Sequence, residues 1–314
     1  VNPIIQFGAV PVFVDVDIKT HNINVDLIEA AITHKTKAIM LAHALGNPFN
    51  VGRVKEICDK HNLWLIEDTC DALGAEFNEQ KCGTFGDIGT LSFYPAHHMT
   101  MGEGGAVFMN DPQLKVIAES FRDWGRDCYC PPGCDNTCGC RFEQKHGDLP
   151  FGYDHKYVYS HSGYNLKITD MQAACGLAQL EKLDFFIQRR KENYEYLFNR
   201  LQTLTDFIDL PEPTPNSNPS WFGFPITLKD NAGVSRVEVT RFLDDYKIGS
   251  RLLFAGNLLK QPYFKDVEYR VVGDLIHTEK TMNDTFWIGV QPALTIEQLD
   301  FVCNKLEEFF GLNF

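Results

Sequence analysis

Ser92-Phe93-Tyr94-Pro95-Ala96-His97-His98-Met99-Thr100-Met101-Gly102-Glu103-Gly104-Gly105 decides how the rest of this chain is read. An apolar run from Ile88 to Tyr94 leads into the stretch and a second, Ala106-Val107-Phe108-Met109, follows it. Its polar middle is therefore expected to be a loop at the end of a sheet. In α/β folds such loops carry chemistry, because rigid strand ends hold them out to a ligand. The adjacent histidines His97 and His98 lie between a Tyr and a Gly-Glu-Gly-Gly turn, with no amphipathic period that would bury an imidazole on its own. Surface histidines in a flexible connection are the plain alternative for this stretch taken alone.

Working outward, Val10 to Val16 reads as a buried strand, Asp26 to Ile32 as a helix, Lys37 to His43 and Leu63 to Glu67 as short apolar strands, and Val51 to His61 as a helix between them. That βαβ alternation predicts parallel strands covered by helices, with Ala42-His43, Glu67-Asp68 and Tyr94 converging at one edge. A helix from Asp111 to Asp123 follows the loop. From Trp124 to Gly163 no period is sustained; the segment holds Pro131-Pro132-Gly133, five cysteines and an aromatic-polar run. A long structureless segment inside a compact domain points to a functional insertion or an organising ligand. Helical spacing returns with Thr169 as N-cap and Asp170 in the first turn, and continues toward Leu201. Beyond the Pro-rich run 210–215, Trp221 to Leu228 reads as a strand, and Val234 to Tyr246 and Leu294 to Phe310 as helices. Two domains are expected, 1–203 with an insertion at 124–163, and 204–314.

The 314 residues are 44% hydrophobic and carry 29 basic against 42 acidic side chains, a net charge of -13. That balance argues against a general nucleic-acid or anionic-membrane surface. No run reaches the roughly 18 apolar residues of a membrane span, and no leader pattern is present, so a cytoplasmic protein is expected. The chain opens Val1-Asn2-Pro3 without Met, as a fragment would. Five of its ten cysteines, Cys128, Cys130, Cys134, Cys138 and Cys140, crowd one short stretch, which in a cytosolic chain reads first as a metal or iron–sulfur site. Zinc held by four of those five as a local knuckle is the simpler alternative. Cys58, Cys82, Cys175 and Cys303 read as ordinary thiols. Glu67-Asp68-Thr69-Cys70-Asp71 places acids at and beyond a strand end, suited to a metal, a ribose or a protonated pyridine, or simply to capping a turn.

The order Glu67-Asp68, Gly74-Ala75, Gly83, Gly86-Asp87, Ser92-Phe93-Tyr94, Gly102-Glu103-Gly104-Gly105, Gly163-Tyr164-Asn165 and Asp170-Met171-Gln172-Ala173-Ala174 resembles the DegT/DnrJ/EryC1/StrS family of pyridoxal-phosphate sugar aminotransferases, over nearly the whole chain. The resemblance implies a type I pyridoxal-phosphate fold, with a mostly parallel large-domain sheet and a small α+β C-terminal domain. It also implies a homodimer, and a further N-terminal stretch with a phosphate-binding turn. Where the family carries the Lys that binds the cofactor covalently, this chain has His97. The family's 3-dehydratases of 4-keto-6-deoxy sugar nucleotides make that replacement. Of the two kinds, one acts on GDP sugars without a cluster and one on CDP sugars with a [2Fe-2S] cluster. Cys70, Cys128, Cys130 and Cys138, spaced C-x57-C-x-C-x7-C, look like the ligands of the second kind.

The implied roles are His97 as catalytic base, Asp68 on the pyridine nitrogen of pyridoxamine phosphate, Ser92 on its phosphate, and Asp71 and Tyr94 flanking that cofactor. Asn165 would reach the cofactor phosphate of a partner subunit. Arg251 and Asn257, in Ser250-Arg251-Leu252-Leu253-Phe254-Ala255-Gly256-Asn257, resemble the sugar-nucleotide side. The implied partners are a CDP-4-keto-6-deoxy sugar and a flavin iron–sulfur NADH reductase. A cluster-free GDP-4-keto-6-deoxymannose 3-dehydratase or an aminotransferase is the alternative enzyme, and a non-catalytic metal-binding regulator on the same fold is the alternative class.

Overall fold

The computed structural model describes residues 1–131 and 133–311, so Pro132 of the Pro131-Pro132-Gly133 sequence lies outside it. Its large-domain sheet joins β1 (Ala38–Ala42), β2 (Trp64–Asp68), β3 (Ile88–Ser92) and β4 (Gly105–Phe108) in that order, the first three parallel and the last antiparallel. Register does the functional work. Ala42 pairs with Asp68 and Asp68 with Thr90, so the ends of three parallel strands reach one edge together. Ser92 pairs with Gly105, which pins both ends of the motif loop.

Helix α1 (Val51–His61) covers the sheet. Asn50 caps it by accepting the Arg53 N–H at 3.1 Å, and Asn62 ends it in the left-handed region at φ 52°. Its buried Val51, Val54, Ile57 and Cys58 follow helical spacing and pack with Leu65 of β2 and Phe49. Helix α2 (Pro112–Arg122) is capped by Asp111. Helix α3 (Asp170–Leu180) opens on a full capping box between Thr169 and Gln172.

The helix expected to run on toward Leu201 is two helices. The N–H of Lys182 returns three residues to the Gln179 carbonyl at 2.9 Å, a tighter turn that ends α3 before α4 (Leu183–Arg200) begins. The second sheet, antiparallel, orders β7 (Ser250–Leu252), β8 (Thr285–Gly289), β6 (Gly223–Leu228) and β5 (Ile208–Asp209). Every residue of β6 is buried: Phe224, Ile226 and Leu228 share one core with α4, α5 (Arg236–Asp245) and α7 (Ile296–Phe309), and α6 (Ile276–Asp284) packs on β6 and β8. Tyr194, Leu197 and Leu201 belong to this core, so the small domain's packing reaches back across the expected boundary at 203/204.

Val10 to Val16 is not a buried strand. Val12–Phe13 pairs with Arg270–Val271 of the small domain, Val16 makes only an isolated bridge to Ile23, and Val10 and Val12 are exposed. Pro11 lacks an N–H and can only accept, here from Arg270, which keeps the segment out of a sheet interior. Farther along, buried Asp15 takes the first N–H groups of α6, from His277 and Thr278, at 2.9 and 2.8 Å. Among the described residues no helix is long and apolar enough to cross a membrane.

Candidate active site

Alternation along β2 turns Glu67 inward with Leu65 and Asp68 the other way. Glu67 is wholly buried and accepts the N–H groups of Gly83, Phe85 and Gly86 at 2.7, 2.8 and 2.7 Å, with His43 Nε2 at 3.2 Å. Burial alone would raise its carboxyl; the His43 bond and the Gly86 and Gly83 amides outweigh that and hold it below the ordinary value. Glu67 therefore folds the turn behind the site rather than entering it. Asp68 faces the edge, where its Oδ1 accepts the Cys70 N–H at 3.0 Å and the Thr90 hydroxyl at 3.4 Å.

The motif loop is braced from inside. Phe93 N–H donates to Gly104 O, Met101 N–H to Phe93 O, and Tyr94 N–H to Ser92 Oγ. His97 Nδ1 lies 3.2 Å from Ser92 O, and since a carbonyl only accepts, Nδ1 carries the proton. Its Nε2 faces Asp71 Oδ1 at 3.4 Å, and the ring stands edge-on to Tyr94 and to Phe222, centroids 5.9 and 5.3 Å apart. Asp71, from the segment after β2, thus meets Ser92, Tyr94 and His97 of the motif loop at one place.

His98 points the opposite way. It is 2% exposed, donates from Nε2 to Ser220 O at 2.9 Å, and is held down to about 3 by burial, with the Arg190 cation adding to it. Arg190 of α4 is itself buried and bonds Phe222 O and Ala96 O at 3.1 and 3.4 Å; burial brings it down to about 10. These two side chains tie the loop to the chain entering β6. Gly46 completes the joint at φ 86°, where a Cβ would lie 1.9 Å from Ser220 O. A cleft of about 700 Å³ opens here, lined by His97, Thr100, Arg190, Phe222, Trp287 and Gln291.

The remaining residues lie farther out. Exposed Asn165 bridges Asp123 at the neck of the insertion, where Trp124 N–H meets Tyr164 O at 2.8 Å. Lys167 sits over the Trp124 ring and bonds Asp123. Arg251 is exposed on edge strand β7 opposite Trp287, hence on the same face as that cleft residue. Asn257 is 5% exposed; it caps a turn through Leu259 N–H and donates to Glu279, so its polar atoms are engaged within the small domain.

The insertion gathers its thiols. Cys130 engages Cys128 and Cys138, and the Thr137 hydroxyl and the Cys138 amide push it down to about 6, into the thiolate range of a metal ligand. Cys138 and Cys140 lie beside His155. Cys70 is engaged by Asp68 and Thr90 instead, and burial together with the Asp68 carboxylate pushes it up to about 12. Three of the four proposed cluster ligands thus keep one another's company, and the fourth stands in the cofactor loop. Sequence reasoning missed Arg190 and His155, because nothing local marks an Arg or a His that only tertiary packing buries.

The DegT/DnrJ/EryC1/StrS aminotransferase family model matches residues 1–307. The chain belongs to this family. It is 68% identical over 314 residues to the lipopolysaccharide biosynthesis protein RfbH of Salmonella typhimurium, covering all of this chain and 72% of that protein. It is 50% identical over 309 residues to the dTDP-4-dehydro-2,6-dideoxy-D-glucose 3-dehydratase of Saccharopolyspora spinosa, covering 98% and 67%. Among solved structures it resembles the E. coli GDP-4-keto-6-deoxy-D-mannose-3-dehydratase with bound hydrated PLP, with a TM-score of 0.85 at 30% identity over 97% of this chain and 76% of that one. The expected type I pyridoxal-phosphate fold is the fold observed.

Proposed function

We propose that this protein dehydrates C3 of a CDP-4-keto-6-deoxy sugar with pyridoxamine phosphate and a [2Fe-2S] cluster, in the making of a 3,6-dideoxysugar for lipopolysaccharide. The observation that carries the reading is His97, an imidazole in the cleft where the family's covalent Lys would stand, fixed by Ser92 O and facing Asp71. The names of the similar 3-dehydratases support it.

The cofactor would be held at the strand edge beside the cleft, with the Asp68 carboxylate for the pyridine nitrogen and the Ser92 hydroxyl for the phosphate. When bound, pyridoxamine phosphate supplies an amine for the C4 ketone and a ring that withdraws electrons. The chain's own part is proton transfer. With Nδ1–H held by Ser92 O, His97 presents Nε2 as the atom that accepts a proton, and the Asp71 carboxylate steadies the imidazolium that results. The same Nε2–H is then placed to protonate the departing C3 hydroxyl. Phe222 and buried Arg190 wall the cleft behind it.

Cys128, Cys130 and Cys138, with Cys70, would hold the cluster, which would supply one-electron transfer from a flavin iron–sulfur NADH reductase. Exposed Phe151, Met171, Leu177, Leu180 and Phe185 form apolar surface suited to a second copy, whose Asn165 would complete this cofactor site.

Iron and acid-labile sulfide should be present in the anaerobically purified protein, and borohydride should link no cofactor to it. Serine at Cys70, Cys128, Cys130 or Cys138 should bleach the cluster absorbance, and serine at Cys134 or Cys140 should not. Protein without iron or sulfide would point to the cluster-free GDP-sugar reaction, and a borohydride-trapped cofactor would overturn the role of His97.

A further inference from the structure

Within the insertion only Gly125, His155 and Val158 are buried among the described residues, so its one buried imidazole stands out. His155 is 4% exposed, and its Nε2 lies 2.7 Å from Asp127 Oδ2. Its Nδ1 is buried with no hydrogen-bond partner among the described residues, a state that costs about 1–3 kcal/mol when nothing offsets it. A ring nitrogen of His155 and the sulfurs of Cys138 and Cys140 lie within 4.8 Å of one another. Gln144 already donates a hydrogen bond to the Cys140 sulfur.

A carboxylate on one ring nitrogen, with the other left bare on a ring beside two sulfurs, is the arrangement found behind metal-bound histidines. The carboxylate fixes the tautomer and leaves the lone pair on the ligating nitrogen. We propose that Cys138, Cys140 and His155 Nδ1 form a zinc-type divalent metal site, oriented by Asp127, with a fourth position for water. Two soft thiolates and an imidazole suit zinc in tetrahedral geometry.

Asp127, His146 and His155 also lie within 4.8 Å of one another. Binding there would break the Asp127–His155 bond and require two imidazoles stacked at 4.9 Å and 16° to turn and converge. The sulfur side needs neither. The site shares Cys138 with the proposed cluster, so zinc and cluster exclude one another at that residue, and the zinc form belongs to protein without the cluster.

The test uses the full chain stripped of iron, titrated with Zn²⁺ against a chelating dye, and with Co²⁺, which reports thiolate ligation by charge-transfer absorption. One equivalent should bind. Cys140→Ser and His155→Gln should each weaken it at least about tenfold, and Asp127→Asn by about tenfold. Cys70→Ser should leave zinc affinity unchanged. Binding that survives both Cys140→Ser and His155→Gln overturns the site, as does binding lost in His146→Ala but kept in Cys140→Ser. Circular dichroism of each variant separates lost ligation from misfolding. Absence of iron and sulfide in the native protein would remove the cluster and leave this result standing.

Discussion

The motif loop and the insertion are held in opposite ways. Around His97 the chain supplies every brace: Glu67 under the turn, His98 and Arg190 locked to the carbonyls of 220–222, and Phe222 against both imidazoles. Among its described residues the insertion has one buried aliphatic side chain, Val158, and it is held by its short neck and by ion pairs such as Arg141 with Asp154 and Lys156 with Asp135. The loop geometry is fixed before any ligand arrives, because buried polar groups hold it to neighbouring carbonyls. A segment that buries so little apolar surface gains little order from packing of its own.

The largest effect should come at the centre of the braced region. His97→Asn should lower turnover by about 10²–10⁴, the range of a lost general base, while cofactor binding measured by absorbance is kept. A fall of less than tenfold would mean that the proton moves elsewhere.

Next, Arg190→Leu should destabilise the protein by about 3 kcal/mol in urea unfolding, since the buried carbonyls of Trp221 and Phe222, and the half-buried one of Ala96, lose a charged donor. An unchanged midpoint would show that the cleft is not braced as described.

Acid should undo the same region in two stages. Burial holds His98 down to about 3, so below its ordinary 6.5 the unfolded chain takes up a proton that the folded chain refuses, and stability falls as the pH drops toward 3. Glu67, held below its ordinary 4.5, contributes fully above that pH and loses its contribution as the pH falls through its folded value. Glu67→Gln should cost about 2 kcal/mol at pH 7 and flatten the stability profile below 4.5; His98→Gln should flatten it between 6.5 and 4. Stability profiles that stay parallel to the parent's would refute both assignments.

Thr169→Ala removes a capping box and should cost about 1 kcal/mol; the same helix reaches the motif loop through Gln172, which donates to Glu103 O at 2.8 Å. The smallest global effect belongs to the insertion. Arg141→Ala should leave the unfolding midpoint in place yet speed thermolysin cleavage within 124–163. A shifted midpoint would show that the insertion shares the stability of the main fold after all.

Much of the fold lay in local pattern. Helices at 51–61, 112–122 and 296–309, and strands at 38–42, 64–68 and 88–92, follow from spacing and caps that act within a few residues. Strands β7 and β8 were not anticipated, because what makes Thr285–Gly289 a strand is its pairing with distant β6 and β7. The Val10–Val16 reading failed at Pro11, which local hydrophobicity does not weigh against the needs of a sheet.

At the site, the sequence by itself put forward His97, Asp68, Asp71, Tyr94 and Ser92 as candidates, because each sits in a short motif whose order is its signal. It also determined that cysteines crowd 128–140. Only the tertiary structure decided that His98 and Arg190 are braces, that Cys70 stands with Asp68 while Cys138 and Cys140 stand with His155, and that Glu67 serves a turn rather than a ligand. Those roles depend on which groups lose water and which carbonyl or sulfur lies within three or four ångströms. Burial and proximity of residues far apart along the chain exist only once the chain has folded.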